Sequence, residues 1–582
     1  MTIASIRQWV LYHVYGLLVA VIVSLVVGLP AVFFHFSSAY RGVEMLKTNA
    51  EDFYATQIQE VYDGHPGLGN PTVADLKNNP YLFPPFSPNL VATIGKIIGL
   101  TSAAETVLVT RFLFAALLTF FIYLFAWQVT KRRAISLISA VFVTLGYNLI
   151  DPANVKSFLF HLYQDKPKVG FLSTGRPINP SVSSLIFFAY LNCFWQYLYG
   201  QGKKKWGLLS TLLLGLSFYS YLFTWLFAFS FNGFLAIALW RQKDWTRAKK
   251  IIGVSFGALL LGIPYAWHTF QVINHPFYTD SAPRFGFLSV RDLNISRTIL
   301  VAFGLFLLTR SWFKEKTERT FWFVFFLTAV FVVNEQFITG KFVFNHHFHW
   351  YYNIPLVIIF LSSWLIYCVE KYIKLIAKRI DFFAVSVVIV LLISGIAMEH
   401  RAYEIALPST IEEQRYAPLF SWLNKNTEAD STVVASLPLS GIITAFTHNN
   451  VYASGNTLYT LIPNDRLMWN LVVLEYLENT SSTDIRGSFE ENRSQISNAV
   501  FGNQYHLTPG LCLTCFPDSV IDSMVLMYNS LSDKNFISSV QKYPAQYIVW
   551  DKKNDPDWSI DRFGLPVVAN FNDVVVYILP KP

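Results

Sequence analysis

The chain has 582 residues, of which 53% are hydrophobic and 17% aromatic but only 14% charged. Ordinary soluble domains carry about 25% charged residues, so this composition excludes a chain that faces water on all sides. The net charge of +8 is dispersed in short clusters between apolar runs, the pattern of loops that flank membrane spans, which excludes a nucleic-acid-binding surface.

The first apolar run, 9–34, is longer than a signal-peptide core and lacks a small-residue cleavage pattern, so it reads as a retained anchor. Apolar runs of spanning or near-spanning length lie at 11–35, 106–128, 134–150, 182–199, 206–221, 222–240, 251–267, 298–309, 320–333, 354–369 and 382–399. They predict roughly 11 transmembrane helices. Their linkers alternate in kind. Short, basic ones (Lys131-Arg132-Arg133, Lys203-Lys204-Lys205, 241–250, 310–319 and 371–379) alternate with long ones rich in aromatics, prolines and acids (36–105, 151–181, 268–297 and 334–353). The excess of Lys and Arg in the short set assigns it and the N-terminus to the cytoplasm, in a cell (inner) membrane. The long loops and the C-terminal region then share the outer face. The expected fold class is an α-helical polytopic membrane bundle over 1–400 with a soluble extracytoplasmic α/β domain over 401–582. Long polar loops do the chemistry that a bundle positions, so the function is sought on that face.

The first outer loop contains Glu51-Asp52-Phe53-Tyr54 and, further on, Tyr62-Asp63-Gly64-His65. Tyr54, Ile58 and Val61 recur at i, i+4 and i+7 opposite Asp52, Thr56, Gln59 and Asp63, which predicts a short amphipathic helix lying at the membrane surface. Asn49 would cap it and Gly64 end it. The two acids in its first turn suit the helix dipole. A carboxylate at the mouth of a bundle can also act as a general base on an acceptor hydroxyl.

The second outer loop carries Lys156, His161, Lys166 and Lys168, then Ser173-Thr174-Gly175-Arg176-Pro177-Ile178-Asn179-Pro180. A guanidinium can hold two phosphate oxygens, so Arg176 is a candidate phosphate ligand, or else a headgroup anchor. Arg111 lies inside the second span, where a cation must face the interior or snorkel; pairing with the loop acids or a carrier phosphate is its functional reading. The fourth outer loop holds Lys341 and then Asn345-His346-His347-Phe348-His349-Trp350-Tyr351-Tyr352. Histidines can ligate metal, donate to phosphate or protonate a leaving group, and aromatic faces suit sugars or isoprene units. An interfacial aromatic belt is the alternative. The third outer loop, with His275, Asp280, Arg284, Arg291 and Asp292, shows no spacing that argues for a role.

The Glu51-Asp52 pair just after the first span, with Tyr54 and the Tyr62-Asp63-Gly64-His65 turn, resembles the acidic-pair motif in the first outer loop of the GT-C glycosyltransferase superfamily. The resemblance covers the topology of the first 400 residues and about 20 residues in detail. It implies an inverting transferase that takes a hexosyl or pentosyl group from a polyprenyl-phosphate-linked sugar. The usual pair is Asp-Asp or Asp-Glu. Here it is Glu-Asp, and Asp52 is favoured as base over Glu51. The resemblance also implies donor-side binding by Lys341, His346 and His349, joined by Arg176 and Arg111. Tyr54, His65, Trp350 and Tyr351 are candidates for sugar or acceptor contacts. The acceptor would be a glycan, lipid or protein; membrane lipids are further partners, nucleic acid is not. No cofactor is implied beyond the donor, and a divalent metal stays open.

In the C-terminal region a helix follows Pro418, short strands lie at Thr432–Ser436 and Tyr547–Trp550, and Val567–Phe571 with Val574–Leu579 forms a hairpin around Asn572-Asp573. The region lacks a Gly-rich phosphate loop, nucleophile elbow or HExxH and reads as an accessory cover, an acceptor-binding module or a passive stabilising domain. The four cysteines are too few for a disulfide framework, and Cys512 and Cys515 form a lone CxxC without a second ligand pair for zinc. Rival functions from other classes are a transporter or flippase for lipid-linked glycans and a non-catalytic envelope assembly factor. The absence of internal repeats and the scarcity of mid-span charges argue against the former.

Overall fold

The computed structural model describes residues 3–48, 50–146, 170–200, 203–508 and 510–581, with no side-chain placement for 3–6. Lys156, His161, Lys166, Lys168 and Asn49 lie outside the described residues. A helix occupies each of the eleven apolar runs. Five helical stretches are long and apolar enough to cross a membrane, six if the pair Trp245–Leu261 and Ile263–Ile273, bent by 51°, counts as one span. The chain is thus a multi-pass helical membrane protein with fewer full-length spans than the runs suggested. The other runs give helices that are shorter or more polar, such as Arg133–Leu145 with 13 residues and Ser181–Tyr199. At 1.5 Å per residue, 13 residues reach about 20 Å, short of the roughly 30 Å hydrocarbon core.

Seven helices position the site: α1 (Val14–His35), α2 (Glu51–Tyr62), α3 (Phe86–Ile97), α4 (Ala103–Thr130), α5 (Ile354–Tyr372), α6 (Ile380–Glu413) and α7 (Leu437–Phe446). α1 packs along α4. Gly16 and Gly28, on one face of α1, let it approach closely, since a Cβ at Gly28 would lie 2.4 Å from the Phe112 ring and one at Gly16 2.5 Å from Tyr123. With lipid outside, such close packing of neighbouring helices, here of aromatic rings against a glycine backbone, is what holds spans together. α4 also contacts Arg133–Leu145 and Ser181–Tyr199, while α5 and α6 both pack on Arg133–Leu145. α6 runs unbroken through residue 400 to Glu413.

The C-terminal region holds a five-stranded sheet of β1 (Thr432–Val434), β2 (Asn450–Val451), β3 (Tyr547–Asp551), β4 (Val567–Phe571) and β5 (Val574–Ile578), in the order β2-β1-β3-β5-β4. β1 pairs in parallel with β2 and β3, and β5 antiparallel with β3 and β4. The β4–β5 hairpin turns through Asn572 at φ +59°, the left-handed conformation asparagine tolerates. The helix after Pro418 is Ala417–Asn426, and Cys512 and Cys515 form a disulfide.

The amphipathic surface helix requires correction. α2 is not a helix with one face open to solvent. It is buried between α3 and α4 on one side and α7 of the C-terminal domain on the other, and nine of its twelve residues are buried. Its supposed solvent stripe is satisfied by protein instead. The Thr56 and Thr444 hydroxyls share a hydrogen bond of 2.9 Å, and Gln59 Nε2 donates to Asp63 Oδ1 at 2.9 Å. At the far end of α2, Lys77 joins Glu60 and Asp430, and His65 Nε2 lies 3.0 Å from Asp430 Oδ2, tying loop to domain. The residue ahead of α2 is Ala50, in a left-handed conformation with φ +56°, while Gly64 (φ +99°) terminates it as expected. The third outer loop also docks the domain: buried Arg284 donates to the Ile462 carbonyl, and Asp280 Oδ2 accepts from the Asn464 amide at 2.9 Å.

This clamp can be tested by crosslinking. The Thr56→Cys/Thr444→Cys pair should form an intramolecular disulfide under mild oxidation, seen as a reducible mobility shift. No shift in a folded double variant would contradict the packing of α7 on α2.

Candidate active site

The site is built where α2 enters the interface. Glu51, its first residue, is fully buried and forms an ion pair with Arg111 of α4, itself 3% exposed. The second oxygen of Glu51 accepts from the Thr48 amide at 2.8 Å. Close by, Glu399 of α6 accepts from the Leu172 amide at 2.8 Å. Both Glu51 oxygens are therefore engaged, which suits a positioning role. Arg111 meets the loop acid, one of the two pairings foreseen for it.

Asp52, the next residue, is half-buried and points toward the C-terminal domain. Asn456 Nδ2 donates to Asp52 Oδ2 at 3.4 Å, a long, weak contact. A Cβ on Gly441 of α7 would sit 3.3 Å from the same oxygen, so the glycine keeps space above the carboxylate. Tyr459 packs on Phe53 with ring centroids 5.3 Å apart. Burial, then the Tyr54 phenol and the Asp52 carboxylate, push the Tyr459 hydroxyl above its ordinary range, so it remains a proton donor.

On the other flank of α2, Tyr54 faces Arg176. Arg176 donates to the Tyr54 hydroxyl at 3.1 Å and to the Tyr351 hydroxyl at 2.7 Å, with its guanidinium 5.2 Å from the Tyr54 ring centre. The Nε of Arg176 is buried without a partner. Among the described residues no carboxylate pairs with this cation. The turn carrying it is fixed locally: Ser181 Oγ donates to the Arg176 carbonyl at 2.6 Å, and Gly175 lies against Val27, Thr48 and Arg111. Beyond Tyr351, His347 stacks on the Tyr351 ring at 5.3 Å and shares a 2.5 Å hydrogen bond with Tyr221.

The histidines divide by helical spacing. His347 and Tyr351, i and i+4, face Arg176 and Tyr221, whereas His346, His349 and Trp350 line a separate cavity of about 440 Å³ with Asn294, Ser296 and Arg297. Trp350 and Tyr351 also border a small gap beside Ser173 and Thr174. Lys341 is exposed and donates to Ser289 Oγ at 2.7 Å. His65 sits at the opposite end of α2 from Asp52, in the ion-pair group with Asp430. Thus Tyr54, Arg176 and Tyr351 are brought together on one flank of α2 and Asp52 meets the C-terminal domain on another, with the Glu51–Arg111 pair at the start of the helix, while Lys341, His346, His349 and His65 contact other groups. Asn456, Tyr459 and Gly441 were missed because no local pattern marks a contact made across some 400 residues of chain. His347 was missed too, and its i, i+4 spacing to Tyr351 is the signal that could have found it. Among the described residues, no group of three or more His, Cys, Asp or Glu side chains is arranged to hold a metal ion.

No protein-family model matches this chain, and no curated protein matches it in sequence. Among solved structures, it is similar to the apo oligosaccharyltransferase of Archaeoglobus fulgidus at 12% identity over 92% of this chain and 70% of that one, with a TM-score of 0.48. The same enzyme tethered to an acceptor peptide containing the NVT sequon gives 12% identity, 94% and 70% coverage and a TM-score of 0.45. ArnT from Cupriavidus metallidurans, bound to undecaprenyl phosphate, gives 10% identity, 99% coverage of both chains and a TM-score of 0.49. All three TM-scores fall below 0.5, so the functional reading rests on the chain's own residues.

Removing one member of a buried pair strands the other, at a cost of about 3–5 kcal/mol. Arg111→Met should therefore lower the detergent-phase Tm more than the double variant Glu51→Gln/Arg111→Met. Equal melting points would mean that the pair contributes nothing to placing α2.

Proposed function

We propose that this chain is an integral membrane glycosyltransferase that moves a sugar from a polyprenyl-phosphate carrier to an acceptor hydroxyl at the outer face. The observation that carries the reading is Arg176, a cation with two phenolic hydroxyl partners, a free Nε–H and no carboxylate partner among the described residues. A partly buried charge left unneutralised is costly, and an anionic ligand would balance it. A phosphate is the anion that a guanidinium fork fits best.

Asp52 lies on the other flank of the same helix, with Tyr459 within electrostatic reach of both Asp52 and Tyr54. An inverting displacement needs a base and a cationic seat for the leaving group on opposite sides of the sugar, and we assign these two roles to Asp52 and Arg176. The Asp52 carboxylate takes the acceptor's hydroxyl proton. The freed oxygen bonds to the anomeric carbon as its bond to the phosphate oxygen breaks, and the electron pair leaves with the polyprenyl phosphate. Arg176, with the Tyr54 and Tyr351 hydroxyls turned toward it, stabilises the charge that develops on that phosphate. Glu51 and Arg111 hold α2 in register, and the C-terminal domain closes the acceptor side through Asn456 and Tyr459. The resemblance of Glu51-Asp52 to the GT-C acidic pair points the same way.

The test is transfer in proteoliposomes supplied with a panel of radiolabelled polyprenyl-phosphate hexoses and pentoses, scored by release of polyprenyl phosphate. Loss of a general base should cost about 10²–10⁴-fold in rate, so Asp52→Asn should fall in that range while its melting curve stays unchanged. Wild-type turnover by Asp52→Asn, or sugar-lipid crossing the bilayer intact without release of carrier, would overturn the reading.

A further inference from the structure

A second recess opens at the end of the bundle opposite the site. It has a volume of about 820 Å³ and is bordered by the C-terminal ends of α4 and Ser181–Tyr199, the start of Trp245–Leu261, the linker before Lys316–Val332 and the end of α5. About 20 residues of α4 separate Arg111 from this end, which is roughly 30 Å of helix and the thickness of a hydrocarbon core. The two sites therefore belong to opposite membrane surfaces.

Five cations border the recess, Lys131, Arg132, Arg247, Lys314 and Lys371, against three carboxylates, Glu315, Glu318 and Glu370. Arg132 pairs with Glu370, and Glu318 is turned to the Tyr367 hydroxyl at 3.2 Å. Arg247 pairs at 2.7 Å with Asp244, which lies outside the recess. Lys131, Lys314 and Lys371 have no ion-pair partner among the described residues. Two of these lysines are held on aromatic faces instead: Lys371 is 4.6 Å from the Trp312 ring centre and Lys131 4.7 Å from that of Trp127. Such contacts fix a cation's position without neutralising it. The wall adds an independent feature. Gln128, 7% exposed, donates to Asn192 Oδ1 at 2.7 Å, which leaves its Oε1 buried without a donor.

We propose that this recess binds the headgroup of an anionic phospholipid, with the phosphate among Lys131, Lys314 and Lys371 and a headgroup hydroxyl donating to Gln128 Oε1. Basic hollows between spans at headgroup depth have the charge and position for this role, and the ring of Trp and Tyr matches the interfacial level. A recess of this volume accommodates a glycerophosphate head, whereas a mere topological anchor needs no cavity. The site is independent of the glycosyl-transfer reading.

The test uses the full-length protein in nanodiscs of phosphatidylglycerol and phosphatidylcholine in equal parts, followed by detergent extraction and lipid quantification by native mass spectrometry. The wild type should retain phosphatidylglycerol selectively. Lys131→Gln/Lys314→Gln/Lys371→Gln should reduce that enrichment on the order of 100-fold, about fivefold per lysine near a charged surface. Lys131→Arg/Lys314→Arg/Lys371→Arg should restore it, which separates charge from folding. Equal retention of the two lipids by the wild type, undiminished enrichment in the Gln variant, or displacement of the lipid by millimolar inorganic phosphate alone would overturn the proposal, the last by identifying a free-phosphate site.

Discussion

Moving Glu51 and Arg111 out of water costs several kcal/mol per ion before their mutual attraction offsets it, and the molecule meets that cost at one junction, where α2 leaves the loop and touches α4. A helix that begins on a buried ion pair cannot rotate without stranding a charge. The register of α2 follows from this constraint, and with it the directions of Asp52 toward the C-terminal domain and Tyr54 toward Arg176. Had the first acid been exposed, the adjoining carboxylate would have no defined orientation. The two neighbouring acids therefore differ in their surroundings: Glu51 is enclosed in the ion pair, and Asp52 remains half-exposed.

The C-terminal domain is part of this arrangement. α7 covers α2 through the Thr56–Thr444 contact, and Asn456 and Tyr459 complete the surroundings of Asp52. The Lys77, Glu60, His65 and Asp430 group fixes the other end of the helix to the same domain. At this group, burial raises the Glu60 carboxyl's affinity for its proton despite Lys77 beside it, while Lys77 and His65 hold Asp430 below its ordinary value against the effect of burial. The Asp430 contribution is complete above its unfolded pKa and fades only as pH falls through the lower, folded one. The domain thus stays docked across the neutral range as far as this carboxylate is concerned.

Much of the bundle could be read from the chain, because a run of apolar residues has few ways to avoid water. Every such run became a helix. Their lengths as spans were less legible, since helices packed among others need neither the length nor the apolarity of an isolated crossing. The local signature of α2 misled for a definite reason. Asp52 and Thr56 look like a solvent face until partners distant in sequence, Asn456 and Thr444, are known to reach them. In the histidine segment the composition pointed to a site, but the local turn, α-helical over His346–Phe348 and π-helical over His349–Asn353, decides which histidine joins it, and it brings His347 rather than His346 to the Arg176 side. Arg176 itself was legible as a phosphate candidate. That its partners would be phenols and not carboxylates follows only from the assembled fold.

The central proposal is that the Arg176 guanidinium binds the carrier's phosphate on the face that also carries Asp52. It is tested most directly by a cryo-EM structure of the full chain with a polyprenyl phosphate bound. The account predicts headgroup density contacting Arg176 beside Tyr54 and Tyr351, with Asp52 facing the same hollow. A phosphate bound elsewhere on that face, with Arg176 still enclosed by its two tyrosines, would contradict it.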